Sequence, residues 1–226
     1  MIETVSLHAP PRRAAFPRWI WWAAASSTAL GAAFLLDGTV DAALRAPGPP
    51  ARDWARFLSW IGEWWSVGLM GLVFAGAQFL RGRFAGARAA VAVTLAGMGT
   101  GFVGTLLRSA IGRARPNAGV PQGFYGIWHG SHWIMGDYQF GSFPSGHAST
   151  LVGLAAAAWV VNRRAGVLAG IFAALVSWSR VAQSSHHLSD IMAASLLGLW
   201  LGPWFLRRIL PLLQRAVTTA EKRAGN

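Results

Sequence analysis

Long apolar stretches alternate with short polar connections along most of the chain. Six of these stretches are long enough, alone or with a few flanking residues, to approach the roughly 20 residues that a membrane-spanning helix needs. They run from Trp19 to Leu36, Phe57 to Leu80, Ala89 to Leu107, Ala148 to Val161, Ala165 to Val181 and Ile191 to Leu206. The fourth is the shortest, and we expect its helix to begin near Ser145 and to extend toward Arg163. The pattern predicts an all-α fold, an integral membrane bundle of about six transmembrane helices.

The composition agrees with a membrane protein and excludes other classes. Hydrophobic residues make up 54% of the 226 residues, charged residues make up 12%, and the mean hydropathy is +0.39, which is far too apolar for an ordinary soluble domain. The net charge of +12 could suggest nucleic acid as a partner. Because the basic residues stand between apolar runs, we expect a bilayer and no nucleic acid. Cysteine is absent, which excludes disulfides and thiolate chemistry.

The distribution of basic residues predicts how the helices are oriented. With six spans and a cytoplasmic N-terminus, the cytoplasmic segments carry 13 of the 20 Lys and Arg residues and the outer connections carry seven. We therefore expect one domain, residues 1–226, with a cytoplasmic segment at 1–18 and a cytoplasmic tail at 208–226. The first apolar run is long enough to span, and its end at Leu35-Leu36-Asp37 gives no A-x-A-like cleavage site, so we expect a retained anchor. The outer connections 108–147 and 180–190 then lie on the same side and can share a site.

The first of three segments in these connections holds two arginines that suit phosphate binding. Arg108 and Arg115 are seven residues apart, and Pro116 follows them. If the third helix continues past Arg108, the seven-residue step is about two turns and places both guanidiniums on one face. Pro116 would then end the helix. A guanidinium stays charged and offers a fork of donors to phosphate oxygens.

The second segment is Pro-Ser-Gly-His at residues 144–147, at the predicted start of the fourth helix. Ser145 could cap this helix, and Gly146 would let the backbone come close to a ligand. Free N–H groups and the helix dipole would then face an anion. His147 would lie beside them in the first turn.

The third segment brings a further arginine, histidines and a carboxylate. Arg180 is followed by His186, His187 and Asp190. On a helix, the carboxylate four residues after His186 could hold one imidazole nitrogen and leave the other free as a nucleophile. His187 also lies within one turn of Asp190, and helical spacing does not separate the two histidines. One histidine could attack phosphorus while another protonates a leaving oxygen.

The order and spacing of the three segments resemble a known signature. Arg-x6-Arg-Pro, then Pro-Ser-Gly-His, then Ser-Arg-x5-His-x3-Asp are similar to the three motifs of the type 2 phosphatidic acid phosphatase superfamily, which includes the vanadium haloperoxidases. The motifs run from Arg108 to Asp190, and the six-span pattern resembles the bacterial membrane members over nearly the whole chain. The signature usually opens with Lys, where this chain has Arg108. A cation is retained, but a guanidinium binds as a fork and an ammonium as a point charge.

The resemblance implies a role for each matching residue. It implies that His186 attacks phosphorus to form a phosphohistidine, that Asp190 orients His186, and that His147 protonates the leaving group. The residues that it implies for holding the phosphate oxygens are Arg108, Arg115, Ser145, Gly146 and Arg180. It implies no metal and no cofactor. The register of the third motif selects His186 and leaves His187 at the rim of the site, where we expect a solvated interfacial histidine.

The resemblance also implies a lipid phosphatase in the bacterial inner membrane, multi-pass, with its site facing the periplasm or the cell exterior. Candidate substrates are undecaprenyl pyrophosphate, phosphatidylglycerol phosphate, phosphatidic acid and lipid A phosphates. We favour a pyrophosphate carrier lipid, because that activity is common among small bacterial members. A phosphotransferase that uses the same site is the nearest alternative, and a non-enzymatic anion or lipid transporter is an alternative from another class. Six apolar spans argue against a soluble vanadate-dependent peroxidase. The sequence predicts no oligomeric state.

Other polar residues have plainer interpretations. Glu63 lies in the second predicted span, about two turns from its outer end, where it could serve the site, be solvated or pair with an arginine. His129 and His132 belong to the outer loop 117–143 and are expected at the surface. Asp137, in the same loop, could cap a turn.

Overall fold

The computed structural model of this protein describes residues 18–45 and 53–224. These residues form seven α-helices, joined by short connections except for one long loop. The helices are α1 (Arg18–Arg45), α2 (Asp53–Ile61), α3 (Trp64–Leu80), α4 (Phe84–Ile111), α5 (Gly146–Val161), α6 (Arg163–Ala182) and α7 (Leu188–Ala224). The predicted cytoplasmic segment 1–18 lies outside the described residues except for Arg18, and so do the last two residues of the tail 208–226. α7 continues through most of that tail.

The helices confirm the predicted membrane bundle. Within the described ranges, four helices are long and apolar enough to cross a membrane, and α2 and α3 together make a fifth candidate span. α5 is apolar but shorter, with 16 residues. With α5 included, each of the six predicted apolar runs corresponds to helix. The fold is all-α, and the count of six spans is approximate because of the bent pair and the short α5.

The second predicted span is bent instead of straight. α2 and α3 meet at an angle of 57° across a short break. Gly62 lies at this break, against α6, where a Cβ would come within 2.4 Å of Val176 Cγ1. Only a glycine therefore allows this approach without a shift in α6. The break makes Glu63 the N-cap of α3.

α5 lies among α4, α6 and α7 and packs against all three. Small residues bring the helix backbones together, as is common where no hydrophobic driving force acts between helices in lipid. A Cβ at Gly202 of α7 would lie 2.1 Å from the carbonyl oxygen of Gly153, and one at Gly101 of α4 would lie 1.9 Å from Thr150 Oγ1. These contacts hold α4, α5 and α7 close to each other.

The loop between α4 and α5 contains a small sheet that the sequence did not predict. Its two antiparallel strands and one 3-10 turn are β1 (Trp128–His129), β2 (His132–Trp133) and Tyr138–Phe140. His129 and His132 are exposed, as predicted. Asp137 caps the 3-10 turn, since its carboxylate accepts a hydrogen bond from the N–H of Gln139 at 3.0 Å, which confirms the predicted cap.

Candidate active site

The residues assigned to the site from the sequence lie at one end of the bundle. Arg108 and Arg180 are in the last turns of α4 and α6, while His147 and Asp190 are in the first turns of α5 and α7. Because α4 and α6 end where α5 and α7 begin, the four side chains approach the same region. Of the remaining assigned residues, Gly146 is the first residue of α5, and Arg115, Ser145 and His186 lie in the connections beside these helix ends.

His186 lies in the turn between α6 and α7 and is 1% exposed. Its Nδ1 is 2.8 Å from the carbonyl oxygen of Ser142. A carbonyl only accepts, so the proton is assigned to Nδ1 and the lone pair to Nε2. Nε2 faces Arg115, whose Nη1 is 3.4 Å away. The free nitrogen of His186 therefore points at a cation.

His186 and Asp190 do not share a helix, so that prediction is wrong. α7 begins at Leu188, and the Nδ1 of His186 is 3.5 Å from Asp190 Oδ2, farther than from the Ser142 carbonyl. Asp190 Oδ2 instead accepts from the N–H of His187 at 2.8 Å and from Ser142 Oγ at 2.5 Å. A carboxylate that reaches back to the N–H before a helix caps its first turn. Asp190 thus holds the two segments that contact His186.

Burial lowers the pKa of His186 to about 3, and the nearby charges of Arg115 and Arg180 act in the same direction, against the carboxylate of Asp190. The imidazole is therefore neutral near pH 7. Burial also lowers the pKa of Arg115, to about 10, which leaves the guanidinium charged at that pH. A neutral nucleophile next to a fixed cation suits attack on an anion.

α4 does not continue to Arg115, as the spacing had suggested. It ends at Ile111, and Gly112 follows as a C-cap in the left-handed conformation, with φ of 62°. A Cβ at Gly112 would lie 1.8 Å from the carbonyl oxygen of Gly126, so the loop fits against α4 only because this residue is glycine. Gly112 and not Pro116 ends the helix. Arg115 therefore reaches the site from the loop and not from the helix face that carries Arg108.

Arg115 is held by its own loop and by the turn that carries His186. Its Nε donates to the carbonyl oxygen of Tyr138 at 2.7 Å, and its Nη1 donates to that of Ser185 at 2.9 Å. The ring of Tyr138 lies against the guanidinium, with its centroid 4.0 Å from Cζ. These contacts fix the guanidinium beside His186 before any ligand binds.

The other two arginines approach from different helices. Arg108 lies beside Gly146, where a Cβ would come within 3.1 Å of Arg108 Nη1, so the glycine leaves room for the guanidinium. Arg180 Nη1 donates to Ser59 Oγ of α2. The structure thus brings the first motif next to the second and ties the third to α2.

Buried polar atoms without a partner gather in this region. Among the described residues, four buried side-chain nitrogen or oxygen atoms make no hydrogen bond, and three of them are Ser145 Oγ, His147 Nε2 and Arg180 Nε. Ser145 is the N-cap of α5, as predicted, but its hydroxyl does not cap the helix. An unpaired buried polar group costs about 1–3 kcal/mol. Such groups in one place form a donor set that an anion could complete.

His147 faces Glu63 across the break between α2 and α3. Its Nε2 is 3.2 Å from Glu63 Oε1, close enough for an ion pair although not aligned as a hydrogen bond. Arg108 and Arg180 also interact electrostatically with this carboxylate. Of the three sequence interpretations of Glu63, a place in the site is the one that this geometry favours.

Sequence reasoning missed a buried network behind the site and misplaced His187. This histidine is 2% exposed, and its Nδ1 is 2.6 Å from Asp41 Oδ2, so the prediction of a solvated rim residue is wrong. The reason is that α1 covers this face of the loop.

Asp41 and Asp37 are ionisable residues just after the first apolar run, which was a signal for function. Arg113, which Asp37 and Asp190 both bind, was also missed.

In the parts of the chain that the structure describes, no group of three or more His, Asp or Glu side chains is arranged to hold a metal ion. Nε2 of His186 faces the guanidinium of Arg115, with Arg108 and Arg180 in the helix ends nearby, and this set of cations suits an anionic ligand. A phosphoryl group, with charge on three oxygens, fits such a set.

A family model and several known proteins resemble this chain in sequence or in fold. The model of the PAP2 superfamily matches residues 86–212. Lipid A 1-phosphatases of Rhizobium etli and Rhizobium johnstonii are both 34% identical to this chain over 106 residues, which is 47% of this chain and 42% and 40% of those proteins. The match therefore spans less than half the length of these relatives. A transmembrane PAP2 type phosphatidylglycerolphosphate phosphatase from Bacillus subtilis has a similar structure, with a TM-score of 0.57 and 19% identity over 84% of this chain and 92% of that one. At this identity the likeness concerns the fold.

Proposed function

Because this chain belongs to the PAP2 superfamily, as its three motifs indicated, we propose that it is a membrane enzyme that removes phosphate from a lipid. The main support is the meeting of Arg115 with a buried, neutral His186 whose unprotonated Nε2 faces that guanidinium. Arg108 and Arg180 lie in the helix ends beside it. An anion transporter would need cations, but it would not need a histidine oriented for attack.

In the proposed reaction, Nε2 of His186 attacks phosphorus because its Nδ1 proton is held by the Ser142 carbonyl. The N–P bond forms while the bond from phosphorus to the leaving oxygen breaks, and His147 gives that oxygen a proton. Water then attacks phosphorus while His147 takes a proton from the water. The N–P bond breaks, its electron pair returns to Nε2 of His186, and inorganic phosphate leaves.

The phosphate oxygens need compensation for the charge that they carry during both steps. We assign this role to Arg108, Arg115 and Arg180, with Ser145 Oγ and the backbone at Gly146 as further donors. Asp190 acts by holding Ser142 and the turn of His186 in place. Three arginines supply the positive charge that a metal ion supplies in other phosphatases, so we propose that turnover needs no divalent metal.

The substrate is a lipid with an exposed phosphate monoester or pyrophosphate. The names of the sequence relatives make lipid A 1-phosphate the first compound to assay, and the name of the structural relative adds phosphatidylglycerol phosphate. Undecaprenyl pyrophosphate and phosphatidic acid complete the panel. We propose that the site faces the periplasm or the cell exterior, from the distribution of basic residues.

The test is release of inorganic phosphate by purified protein in detergent, with EDTA present, from each lipid of this panel. Wild type should release phosphate from at least one lipid, vanadate should inhibit it, and His186→Ala should be silent. Activity that is lost in EDTA and restored by Mg²⁺ would contradict the metal-free mechanism. Labelled phosphate that appears on a second lipid instead of in solution would favour the phosphotransferase. No turnover with any lipid would favour the transporter.

The nucleophile can be identified separately by trapping the phosphoenzyme. Rapid denaturation and mass spectrometry should find phosphate on His186. His187 should remain unmodified, because its Nδ1 faces Asp41 and its Nε2 is 3.2 Å from the carbonyl oxygen of Ala114. Phosphate on His187, or trapping that persists in His186→Ala, would overturn the assignment.

A further inference from the structure

Two carboxylates of α1 are buried against the loop that holds the proposed nucleophile. Asp37 and Asp41 are four residues apart on one face of α1 and are each 6% exposed. By contrast, only 11% of the apolar span of α1 is buried. Ionisable groups in a membrane helix are costly, so these two need strong partners. Their partners all lie next to the candidate active site.

Asp37 binds the start of α7 and a guanidinium. Its Oδ1 accepts from the N–H of Ser189 at 2.9 Å, and its Oδ2 accepts from Ser189 Oγ at 2.5 Å and from Arg113 Nη2 at 2.7 Å. Arg113 in turn donates from Nη1 to Asp190 Oδ1 at 2.6 Å. One guanidinium therefore links α1 to the carboxylate that holds the turn of His186.

Asp41 binds the residue next to the proposed nucleophile. Its Oδ2 is 2.6 Å from His187 Nδ1, and His187 Nε2 is 3.2 Å from the carbonyl oxygen of Ala114. Both neighbours are oxygen atoms, so each ring nitrogen of His187 faces one of them. Ala114 directly precedes Arg115. This bridge thus connects α1, the nucleophile turn and the phosphate-binding segment.

A helix that only anchored the chain would not need these charges. Replacing buried ion pairs by apolar residues is often neutral or stabilising, so stability alone does not account for them. Their partners adjoin both reacting groups, since Arg113 is two residues before Arg115 and His187 directly follows His186. A misplacement of about 1 Å between reacting groups can cost roughly 100-fold in rate.

We propose that Asp37 and Asp41 are positioning residues of the active site and that α1, which lies outside the 86–212 segment of the family match, is part of the catalytic apparatus. They act through Arg113 and His187. This inference rests on the proposed phosphatase function, and the experiment below separates the two.

The main variant is Asp41→Asn, which keeps the shape of the side chain and removes its charge. We expect kcat to fall on the order of 10- to 100-fold with KM within about threefold, because the reacting atoms shift while the lipid still binds. The matched control is Asp53→Asn, the same change at an exposed carboxylate of α2 that pairs with Arg56. It should leave kcat unchanged.

A double variant tests whether Asp41 acts through His187. If Asp41 acts through His187, the kcat of the double variant Asp41→Asn, His187→Gln should be no lower than that of the slower single variant. If the fold-loss in kcat of the double variant equals the product of the two single losses, the residues act independently, and the inference is overturned. All assays are run well below the unfolding temperature of each variant, so loss of the fold does not enter the comparison.

Vanadate binding gives a readout that does not need turnover. Vanadate imitates the pentacoordinate phosphoryl centre, so it should raise the unfolding temperature of the wild type and raise that of Asp41→Asn much less, with Asp53→Asn like the wild type. If wild type releases no phosphate from any lipid, the proposed function fails. If wild type is active and Asp41→Asn keeps kcat within about twofold and responds to vanadate normally, only the present inference fails.

Discussion

The two histidines assigned to the reaction have different charged groups beside their Nε2 atoms. His186 is enclosed between the Ser142 carbonyl and the guanidinium of Arg115, whereas His147 faces the carboxylate of Glu63. A cation beside an imidazole opposes its protonation, and a carboxylate favours it. Two residues of one type can therefore take the roles of nucleophile and proton donor, since their neighbours differ.

The low pKa of His186 predicts activity in mild acid. An ordinary histidine titrates near pH 6.5. Since burial lowers the pKa of His186 to about 3, protonation of this residue should not reduce kcat/KM between pH 7 and pH 5. A pH profile of phosphate release checks this. A decline in kcat/KM between pH 7 and pH 5 with an apparent pKa near 6.5 would contradict the prediction.

The same shift has a consequence for stability, with a defined sign. The unfolded chain binds a proton at His186 below about pH 6.5, whereas the folded protein binds it only near pH 3. The contribution of this residue to stability is therefore fully present above about pH 6.5 and declines as the pH falls toward 3. As the pH is lowered through this range, the unfolding temperature in detergent should decrease, and it should decrease less in His186→Gln.

Arg108 allows a direct test of whether charge or shape matters at the start of the first motif. Arg108→Lys should keep most activity, because a cation remains and the family usually has Lys here. Arg108→Ala should lose roughly two to three powers of ten in kcat, as expected for removal of a charged donor to the transition state. Equal losses in both variants would show that the fork geometry is required. Near-normal activity of the alanine variant would return Arg108 to an anchoring role.

At the scale of elements, one glycine decides where α4 ends. The positive φ alone would cost Gly112→Ala about 1–3 kcal/mol of stability. The loss should be larger than that, because the new Cβ would also meet the carbonyl oxygen of Gly126 at 1.8 Å. Arg115 follows three residues later, so kcat should fall as well. The matched control is Gly119→Ala, which has a φ of 71° but open space around it, and should lower stability by only about 1 kcal/mol. Thermal unfolding in detergent, together with kcat, checks both variants.

The sequence predicted the helices better than their ends, for a physical reason. Apolar length alone defines a membrane span, so the six runs were recognisable without any partner. By contrast, Gly112 ends α4 and Gly62 permits the bend between α2 and α3 because of atoms elsewhere in the fold. The same holds for the site. The three motifs could be placed on one side of the membrane, but Asp37 and Asp41 find partners 76 and 146 positions away along the chain, which no local pattern indicates.

At the scale of the whole molecule, the orientation of the bundle is open to a labelling test. The chain has no cysteine, so single cysteines can be introduced without background. Ser131→Cys, in the turn between β1 and β2, should react with a membrane-impermeant thiol reagent on intact cells. Arg163→Cys, at the opposite end of the bundle, should react only after lysis. The reverse pattern would place the site in the cytoplasm.

The shortness of α5 decides how deep the chemistry takes place. Its 16 residues are about 24 Å long, whereas the hydrocarbon layer is roughly 30 Å thick. If Arg163 and Arg164 mark the cytoplasmic boundary, the first turn of α5 lies several ångströms beneath the opposite headgroup plane. To reach the site, the phosphate of the substrate lipid would then move toward the bilayer centre, below the headgroups of the neighbouring lipids. A thinner bilayer shortens the distance between the headgroup plane and the first turn of α5. Turnover in proteoliposomes should therefore rise as the acyl chains of the host lipid become shorter.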